Sequence, residues 1–184
     1  LRRPLLVRVT DGAGNGMADV AVKFEVTGGD GRISTVEPST NFSGFAATTW
    51  TLGTRAGSGH AVTASLPGEN TSTVTFHATA TAGPGTDLFL VSGDGQQGRP
   101  GGRLAEPVVF RVADRFDNPV PNQLVKFIAD QGFGSMDPPD QRTDEAGRAR
   151  ASWTLGNVAG VQAASVWSPG LTGSPTRISA RAAN

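Results

Sequence analysis

Two stretches of sequence decide the fold: residues 46–53 are AATTWTLG and residues 149–156 are ARASWTLG. In both, Trp and Leu alternate with small or polar residues, which is the period-two pattern of a strand with one buried face. The stretches lie 103 positions apart, and their alignment extends without a gap over residues 4–57 and 107–160. Nineteen of these 54 pairs are identical, so the chain contains an internal repeat. After one deletion the match continues at an offset of 102 residues.

The repeat divides the chain into two predicted domains, residues 1–82 and residues 83–184. The seam between them, residues 81–85 (TAGPG), is short and contains Pro. A linker of this length and composition would tether two domains closely and with limited freedom. We therefore expect two modules in tandem.

The composition indicates an all-β fold. The 184 residues include 25 Gly and 12 Pro, while only 17% are charged. This disfavours helical bundles and coiled coils, whereas the even spread of Val, Thr and Phe suits pleated sheets. The expected fold is therefore two antiparallel β-sandwiches with many turns.

The strand pattern is the same in both copies. Leu5, Val7 and Val9 alternate with residues on the opposite face, and the three positions 103 residues later are also apolar. No segment has the pattern of a helix. Strands are predicted near residues 5–9, 22–24, 46–52, 60–65, 74–80, 87–92, 108–112, 125–127, 149–155, 163–167 and 177–182.

The two copies differ at their N-terminal ends. The second copy has a strand-like segment and a Gly-rich turn, residues 86–98, before Leu104, whereas the first begins at Leu1, the position equivalent to Leu104. The first sandwich is therefore predicted to lack its initial strand, which leaves a sheet edge unpaired and an apolar groove partly uncovered. Two explanations stay open: the sequence is a piece of a longer chain, or a neighbour supplies the strand by β-augmentation.

Charge and cysteine content exclude several classes of function. The 16 basic residues balance 16 acidic ones, so no nucleic-acid or anionic-lipid partner is indicated. The absence of Cys removes disulfides, thiolate nucleophiles and thiolate metal ligands. The longest apolar run, residues 88–91, is too short for direct membrane insertion of this segment.

Candidates for catalysis are few. His60 and His77 have neither metal-ligand spacing nor a His counterpart in the second copy, which has Ala163 and Ser179 at the matching positions, and we expect both at the surface. Residues 57–60 (GSGH) lack the strand-turn-helix context of a nucleophile elbow. We therefore predict a non-enzymatic protein with no catalytic residue and no cofactor.

Acidic residues near turns raise the question of calcium, which needs several oxygen ligands around one point. Asp11 with Asn15, and Asp114 with Asn118, are the repeated candidates, and neither pair has the spacing of an EF-hand loop. Asp and Asn side chains at such positions more simply hydrogen-bond the backbone of a turn. The sequence therefore predicts turn-forming residues here and no metal site.

A family resemblance rests on a set of motifs along the two copies. The motifs are Val9-Thr10-Asp11 to Asn15, Val112-Ala113-Asp114 to Asn118, residues 143–149, Trp153-Thr154-Leu155-Gly156 and Phe76-His77-Ala78-Thr79-Ala80. They resemble the bacterial immunoglobulin-like repeats of the invasin/intimin type (Big-1-like), which implies that each sandwich is immunoglobulin-like and that the chain is extracytoplasmic, at the bacterial cell surface, in the periplasm or secreted. Such repeats serve in adhesins, envelope stalks and secreted assemblies.

Four apolar residues of the second copy stand where the first copy has small or polar residues. We interpret this difference as a candidate partner-binding surface; the alternative is that each is an isolated exposed hydrophobe or folds over the end of the sandwich. The replacements are Phe116 for Ala13, Ile128 for Glu25, Phe133 for Asp30 and Trp167 for Ser65.

The leading functional hypothesis is a non-catalytic structural or interaction module of a bacterial envelope or secreted protein. It would act as a stalk or adhesin repeat and bind a protein partner or neighbouring repeats. The alternative hypothesis is an accessory periplasmic subunit that stabilises a larger membrane-bound assembly, such as a bioenergetic or photosynthetic complex. Co-purification in fixed stoichiometry would distinguish that subunit from a stalk.

Overall fold

The structure, a computed structural model, describes residues 1, 3–68 and 72–183, which form strands and no helix. The predicted all-β class is therefore confirmed. Within the described residues, no helix is long and apolar enough to cross a membrane. The chain divides into two compact units, Leu1–Thr81 (unit 1) and Ala82–Asn184 (unit 2).

Unit 1 contains seven strands among its described residues. They pair in three groups, β1 with β4, β3 with β5, and β2 with β6 and β7, all antiparallel. The bounds are β1 Leu5–Arg8, β2 Lys23–Gly28, β3 Arg32–Ile33, β4 Phe45–Thr48, β5 Trp50–Thr51, β6 Gly57–Ser65 and β7 Thr73–Ala80.

Unit 2 is a sandwich of two sheets. The bounds of its strands are β8 Asp87–Ser92, β9 Gln96–Gly98, β10 Val108–Ala113, β11 Leu124–Ala129, β12 Ser135–Asp137, β13 Asp140–Arg142, β14 Arg148–Thr154, β15 Gly160–Trp167 and β16 Thr176–Ala182. The strand order is β12-β14-β10-β8 in one sheet and β13-β11-β15-β16-β9 in the other.

The sequence repeat is also a repeat of strand pairing. Leu5 pairs with Thr48 in unit 1, and the residues 103 positions later pair in unit 2. The equivalence of Leu1 and Leu104 is confirmed, because the Leu1 amino group donates to the Trp50 carbonyl at 2.5 Å and the Leu104 amide donates to the Trp153 carbonyl at 2.9 Å. The two units are therefore copies of one architecture.

A buried tryptophan lies in the core of each unit, as the alternation predicts. Trp50 packs with Phe24 in unit 1, and Trp153 packs with Phe127 in unit 2. Removing so large a buried side chain costs about 3–5 kcal/mol. The two tryptophans differ in one respect. The Trp153 indole donates to the Phe133 carbonyl at 2.9 Å, whereas the Trp50 indole nitrogen has no acceptor among the described residues.

This difference predicts unequal costs for the same substitution. Trp50→Phe and Trp153→Phe remove the same volume, but only the second also removes a hydrogen bond and leaves the Phe133 carbonyl without that donor. We expect Trp153→Phe to lower the free energy of unfolding of its unit by about 1 kcal/mol more than Trp50→Phe lowers that of unit 1. Hydrogen exchange resolved by unit, in a urea series, measures both values. Equal losses would contradict this account of the Trp153 bond.

The expectation that His60 lies at the surface is wrong, because its side chain is buried. His60 pairs with Ala78, and the equivalent pair in unit 2 joins Gln162 to Ala180. The one-residue deletion thus lies before His60 and makes Gln162 its counterpart. His60 Nε2 donates to the Arg55 carbonyl at 2.8 Å.

Gln162 makes the equivalent bond and two more. Its Nε2 donates to the Val158 carbonyl at 2.7 Å and to the Gly156 carbonyl at 3.0 Å, and its Oε1 accepts the Gly156 amide at 2.7 Å. His60 thus anchors the loop that precedes β6 in unit 1, and it makes fewer hydrogen bonds than Gln162 makes in unit 2. His77, by contrast, is exposed, as expected.

Substitution at position 60 tests this role. His60→Gln retains the bond to Arg55 and introduces an amide that can reach Gly53, so we expect unit 1 to keep its stability or gain about 1 kcal/mol. His60→Ala leaves a buried gap and an unpaired loop carbonyl, so we expect a loss of about 2 kcal/mol. Urea unfolding of the two variants gives the comparison, and a Gln variant as unstable as the Ala variant would contradict it.

Candidate interaction surfaces

A single segment closes one side of the unit 2 sandwich. Residues 86–98, here called the closing segment, first form β8, which pairs antiparallel with β10. After a turn they form β9, which pairs in parallel with β16. The segment thus covers the edge of one sheet and then the edge of the other. Its Leu88 side chain lies in the core of unit 2.

Unit 1 has no such segment among its described residues. β1 pairs only with β4, and β7 pairs only with β6, so the strands equivalent to β10 and β16 each keep a free edge. The described residues of unit 1 thus contain no counterpart of β8 or β9, as the sequence predicts. Leu1 is 50% exposed, whereas Leu104, which lies against Gly98 of β9, is 4% exposed.

A groove of about 310 Å³ lies between β1 and the beginning of β7 in unit 1. Val7 and Val9, which line it, are half-buried, while their counterparts Phe110 and Val112 in unit 2 are completely buried. This groove, here called the open groove, is the uncovered side predicted from the sequence. Its other apolar lining residues are Val22, Ala64, Leu66 and Val74.

The Asp114 carboxylate holds the chain where it enters unit 2. It is 3% exposed and accepts the amides of Phe116 at 2.8 Å, Asn118 at 3.0 Å and Gly83 at 2.9 Å. Burial alone would raise the pKa of Asp114, but the hydrogen bonds from Asn118, Gly83 and Phe116 outweigh it and lower the pKa to about 2. The carboxylate therefore ties the seam to the turn after β10.

Asp11 stabilises the equivalent turn in unit 1, where no bond equivalent to that from Gly83 is present among the described residues. Its carboxylate accepts the amide of Ala13 at 2.9 Å and that of Asn15 at 2.8 Å, and it also accepts the Asn15 side chain at 3.0 Å. The bonds from the Asn15 side chain and backbone lower the pKa of Asp11. The interpretation of both Asp–Asn pairs as turn-forming residues is confirmed. Asp11 itself is exposed, whereas Asp114 is not.

Two of the four predicted partner-binding residues share one face of unit 2. Lys126 pairs with Trp167 and Ile128 pairs with Ser165, so Ile128 and Trp167 are diagonal neighbours on the outside of the sheet. They are 52% and 37% exposed. Ion pairs flank them, Lys126 with Asp140 at 3.5 Å and Arg177 with Asp130. We call Ile128, Trp167 and Ser165 the outer patch.

The equivalent face of unit 1 is polar. Glu25 and Ser65 stand in place of Ile128 and Trp167, and Lys23 pairs with Glu25 at 2.9 Å. The Thr63 hydroxyl lies 3.1 Å from that of Thr27 and 3.2 Å from that of Thr75, which forms a ladder across three strands. The two units thus present the same backbone surface with opposite character.

Phe116 and Phe133 lie in turns of unit 2, outside the two strands that carry the outer patch. Phe116 is exposed in the turn that follows β10, beside the seam, where the Arg115 guanidinium stacks on its ring at 4.5 Å. Phe133 is half-buried in the turn that follows β11, where its carbonyl accepts the Trp153 indole. The structure therefore does not bring all four predicted residues together.

The sequence reasoning missed an exposed apolar stretch on β8. Phe89, Leu90 and Val91 are all exposed on this edge strand of unit 2. The apolar run was visible in the sequence, but its position at a sheet edge follows only from the pairing of β8 with β10 alone. In the part of the chain that the structure describes, no cluster of three or more His, Asp or Glu side chains could hold a metal ion.

Substitution of Asp114 tests whether its carboxylate stabilises the contact between Gly83 and the turn after β10. We expect Asp114→Asn to lower the free energy of unfolding of unit 2 by about 2 kcal/mol at pH 7, because charged hydrogen bonds are lost. The folded pKa of about 2 lies below the ordinary 3.8. The carboxylate therefore stabilises fully above pH 4, and its contribution disappears as the pH falls from about 4 to about 2.

The difference between wild type and Asp114→Asn should accordingly shrink over that pH window. Urea unfolding at several pH values, resolved by unit through hydrogen exchange, measures it. Asp11→Asn in unit 1 is the matched control. We expect it to lower the free energy of unfolding by less, because Asp11 is exposed and accepts hydrogen bonds only from its own turn among the described residues. A pH-independent difference for Asp114→Asn would show that the charge of the carboxylate is not what stabilises the turn.

Comparison with known proteins identifies the fold of both units. Residues 3–79 match the family model of the bacterial Ig-like domain (group 1). A search of curated protein sequences found no match. InvD of Yersinia pseudotuberculosis is similar in structure, with 17% identity, a TM-score of 0.61 and alignment over 96% of this chain and 51% of InvD.

Two further solved structures are similar. The FdeC adhesin of Escherichia coli shares 19% identity and a TM-score of 0.52, over 98% of this chain and 59% of FdeC. The D0-D1 domain of intimin shares 21% identity and a TM-score of 0.39, over 95% of this chain and 85% of that structure. The chain thus spans only about half the length of the InvD and FdeC structures. The predicted resemblance to the invasin/intimin type of Ig-like repeat is confirmed by the family match over residues 3–79.

Proposed function

We propose that this chain is a non-catalytic, two-module segment of a bacterial cell-surface or secreted protein. In this role the two modules, residues 1–82 and 83–184, act as stalk or adhesin repeats, and unit 2 also binds a protein partner or a neighbouring repeat through its outer patch. The observation that carries the proposal is the contrast between the outer patch and the equivalent polar face of unit 1. The two units share one fold, but the equivalent face is polar in unit 1 and apolar in unit 2. This difference indicates that the apolar face of unit 2 is a contact surface.

The outer patch has the make-up of a small protein-binding surface. Trp is enriched among the residues that contribute most to protein interfaces. Trp167 is an exposed residue at the end of β15, which is the central strand of its sheet. The ion pairs around it supply a polar rim, as interfaces usually have. In unit 1 the Lys23–Glu25 pair occupies the equivalent place, so unit 1 would keep this face in solvent.

The extracytoplasmic location is supported by the family match, and the composition is compatible with it. Residues 3–79 match a family model named from bacteria, and the similar structures include the FdeC adhesin. The chain contains no Cys, so its folding needs no oxidative step. A stalk of such modules would fold outside the cytoplasm from its own hydrophobic cores.

The overall role can be tested by purifying the natural protein at its native level and measuring the mass of the intact polypeptide with everything bound to it. We expect a longer polypeptide that carries further copies of the Trp-Thr-Leu-Gly repeat. A polypeptide near 18.9 kDa in constant ratio with other subunits would instead support an accessory subunit of a larger assembly.

The outer patch can be tested by site-specific photo-crosslinking in the native host. We expect p-benzoylphenylalanine at Ser165, within the patch, to give one defined cross-linked product with a protein partner or another repeat. The matched control is the same group at Thr63, the equivalent position of unit 1, which should give none. Cross-links of equal yield at both positions would contradict the proposal.

A second variant separates binding from mere proximity. Ile128→Glu with Trp167→Ser gives unit 2 the residues of unit 1, so it should abolish the Ser165 cross-link while the fold stays intact. Glu25→Gln with Ser65→Thr makes a comparable double change on unit 1 and should leave the Ser165 product unaltered. An unchanged cross-link in the first variant would show that Ile128 and Trp167 do not form the contact.

A further inference from the structure

The outer face of β14 in unit 2 carries a row of polar side chains. Arg148, Arg150 and Ser152 lie on this face and alternate with residues that are buried in the core. On the neighbouring strand, Arg111 of β10 pairs directly with Arg148. Like charges at directly opposed positions destabilise a sheet. The stability of the sheet therefore does not explain this arrangement.

The arginines of this face differ in how far a carboxylate neutralises them. The Arg111 guanidinium lies 2.6 Å from the Asp117 carboxylate. Arg150 lies 3.7 Å from Asp144, and its side chain is 61% exposed, so solvent screens that pair. The Arg148 guanidinium has no ion pair or hydrogen bond among the described residues. Arg148 and Arg150 are therefore available to bind an anion.

A cavity of about 400 Å³ lies beside Arg150, where the chain crosses from β12 to β13. Its size is within the range of about 300–1,000 Å³ that small-molecule sites occupy. We call this cavity the arginine pocket. Its charged and hydrogen-bonding side chains are Arg103, Asp137, Gln141, Arg150 and Ser152.

Hydrogen bonds hold the polar groups of the arginine pocket in place. The Arg103 guanidinium donates to the Ser152 hydroxyl. Ser152 is the next outward residue after Arg150, at a spacing of about 7 Å along the strand, so two guanidiniums line the same cavity. The Gln141 Oε1 accepts the Arg150 amide, which leaves the Gln141 Nε2 as a further donor at the pocket.

The arginine pocket combines groups that prefer different ligands. Guanidinium groups bind carboxylates through paired N–H donors. The Asp137 carboxylate is exposed and has no ion pair among the described residues, so it repels a plain anion but accepts hydroxyl groups. A ligand that satisfies both carries a carboxylate and several hydroxyls in one small unit. An acidic sugar has this composition.

The equivalent place in unit 1 lacks these groups. Ala47 stands in place of Arg150, and Ser34 stands in place of Asp137. The Ser34 hydroxyl accepts the Thr49 amide at 3.0 Å, so it is used within the unit. The shared fold therefore does not require the arginine pocket, and the pocket indicates a role particular to unit 2.

We infer that the arginine pocket of unit 2 binds an acidic sugar, a uronic-acid unit of a polysaccharide. The sugar carboxylate lies between Arg103 and Arg150, and its hydroxyls donate to Asp137 and accept from Gln141. Arg148, the next outward residue of β14, binds the acidic group of the adjoining sugar. The arginine pocket and the outer patch share no residue, so this inference does not depend on the protein contact proposed above.

The test uses the 184-residue chain with tetragalacturonate, and with the methyl ester of the same tetrasaccharide as the uncharged control. We expect calorimetry to give saturable binding of tetragalacturonate. The ester should bind at least tenfold more weakly, because it cannot accept charge-assisted hydrogen bonds from arginine. Absence of binding, or equal binding of the acid and the ester, would overturn the inference.

Substitution of one arginine locates the site. Arg150→Ala introduces the residue of unit 1 and should weaken binding of tetragalacturonate at least tenfold. Arg177→Gln removes the same charge from the other sheet and should change the affinity by less than about twofold, since salt screens distant charges. Equal effects of the two substitutions would show that only the net charge of the unit matters and would overturn the site.

Substitution of Asp137 distinguishes a sugar from an acidic polypeptide. We expect Asp137→Ala to weaken tetragalacturonate about fivefold, because the lost hydrogen bonds to a charged acceptor outweigh the screened repulsion that also disappears. The same change should strengthen binding of a hexaglutamate peptide, which offers no hydroxyl to Asp137. Stronger binding of both ligands to the variant would overturn the assignment to a sugar. Tighter binding of hexaglutamate than of tetragalacturonate by the wild type would assign the pocket to an acidic polypeptide instead.

Discussion

Two sheets that pack face to face leave their shared core exposed along any side where no chain segment covers the edge strands. Covering that side is the constraint on which both units depend. In unit 2 one segment meets it by pairing first with β10 and then with β16. Leu104 is buried as a result. In unit 1 the side stays open, and the equivalent Leu1 is exposed.

The open side demands a particular kind of cover. An apolar small molecule could fill the space beside Val9, but it would leave the backbone groups of β1 and β7 to water. A strand satisfies both needs at once, because its backbone pairs along the edges while alternate side chains point into the core. In unit 2 the closing segment does this with Leu88 as the residue that enters the core.

Much of the fold follows from alternation and from the repeat, because each buried strand appears twice. Trp50 and Trp153 could be assigned to the core from their spacing alone. His60 could not, since a single deletion shifts its counterpart from Ala163 to Gln162, and only the pairing of β6 with β7 locates that deletion. A one-residue shift in a strand exchanges the buried face for the exposed face. This explains why His60 was expected at the surface although it is buried.

The candidate surfaces were predictable only in part, and for a similar reason. The apolar character of Ile128 and Trp167 is visible in the sequence, but their proximity depends on the register between β11 and β15. Asp11 and Asp114 sit in nearly identical motifs. What separates them is the amide of Gly83, a residue distant in sequence that reaches Asp114 only after the chain has folded.

The position of the closing segment also bears on how unit 2 would carry tension in a stalk. The chain enters beside Asp114, at one end of the sandwich, and β16 ends at Ala182, which pairs with Gly160 at the other end. Tension between these points first loads the Gly83–Asp114 hydrogen bond and the pairing of β8 with β10, which precede β9 along the chain. Beyond them it would pull β9 and β16 in opposite directions, and because these strands are parallel, their hydrogen bonds would be loaded together in shear.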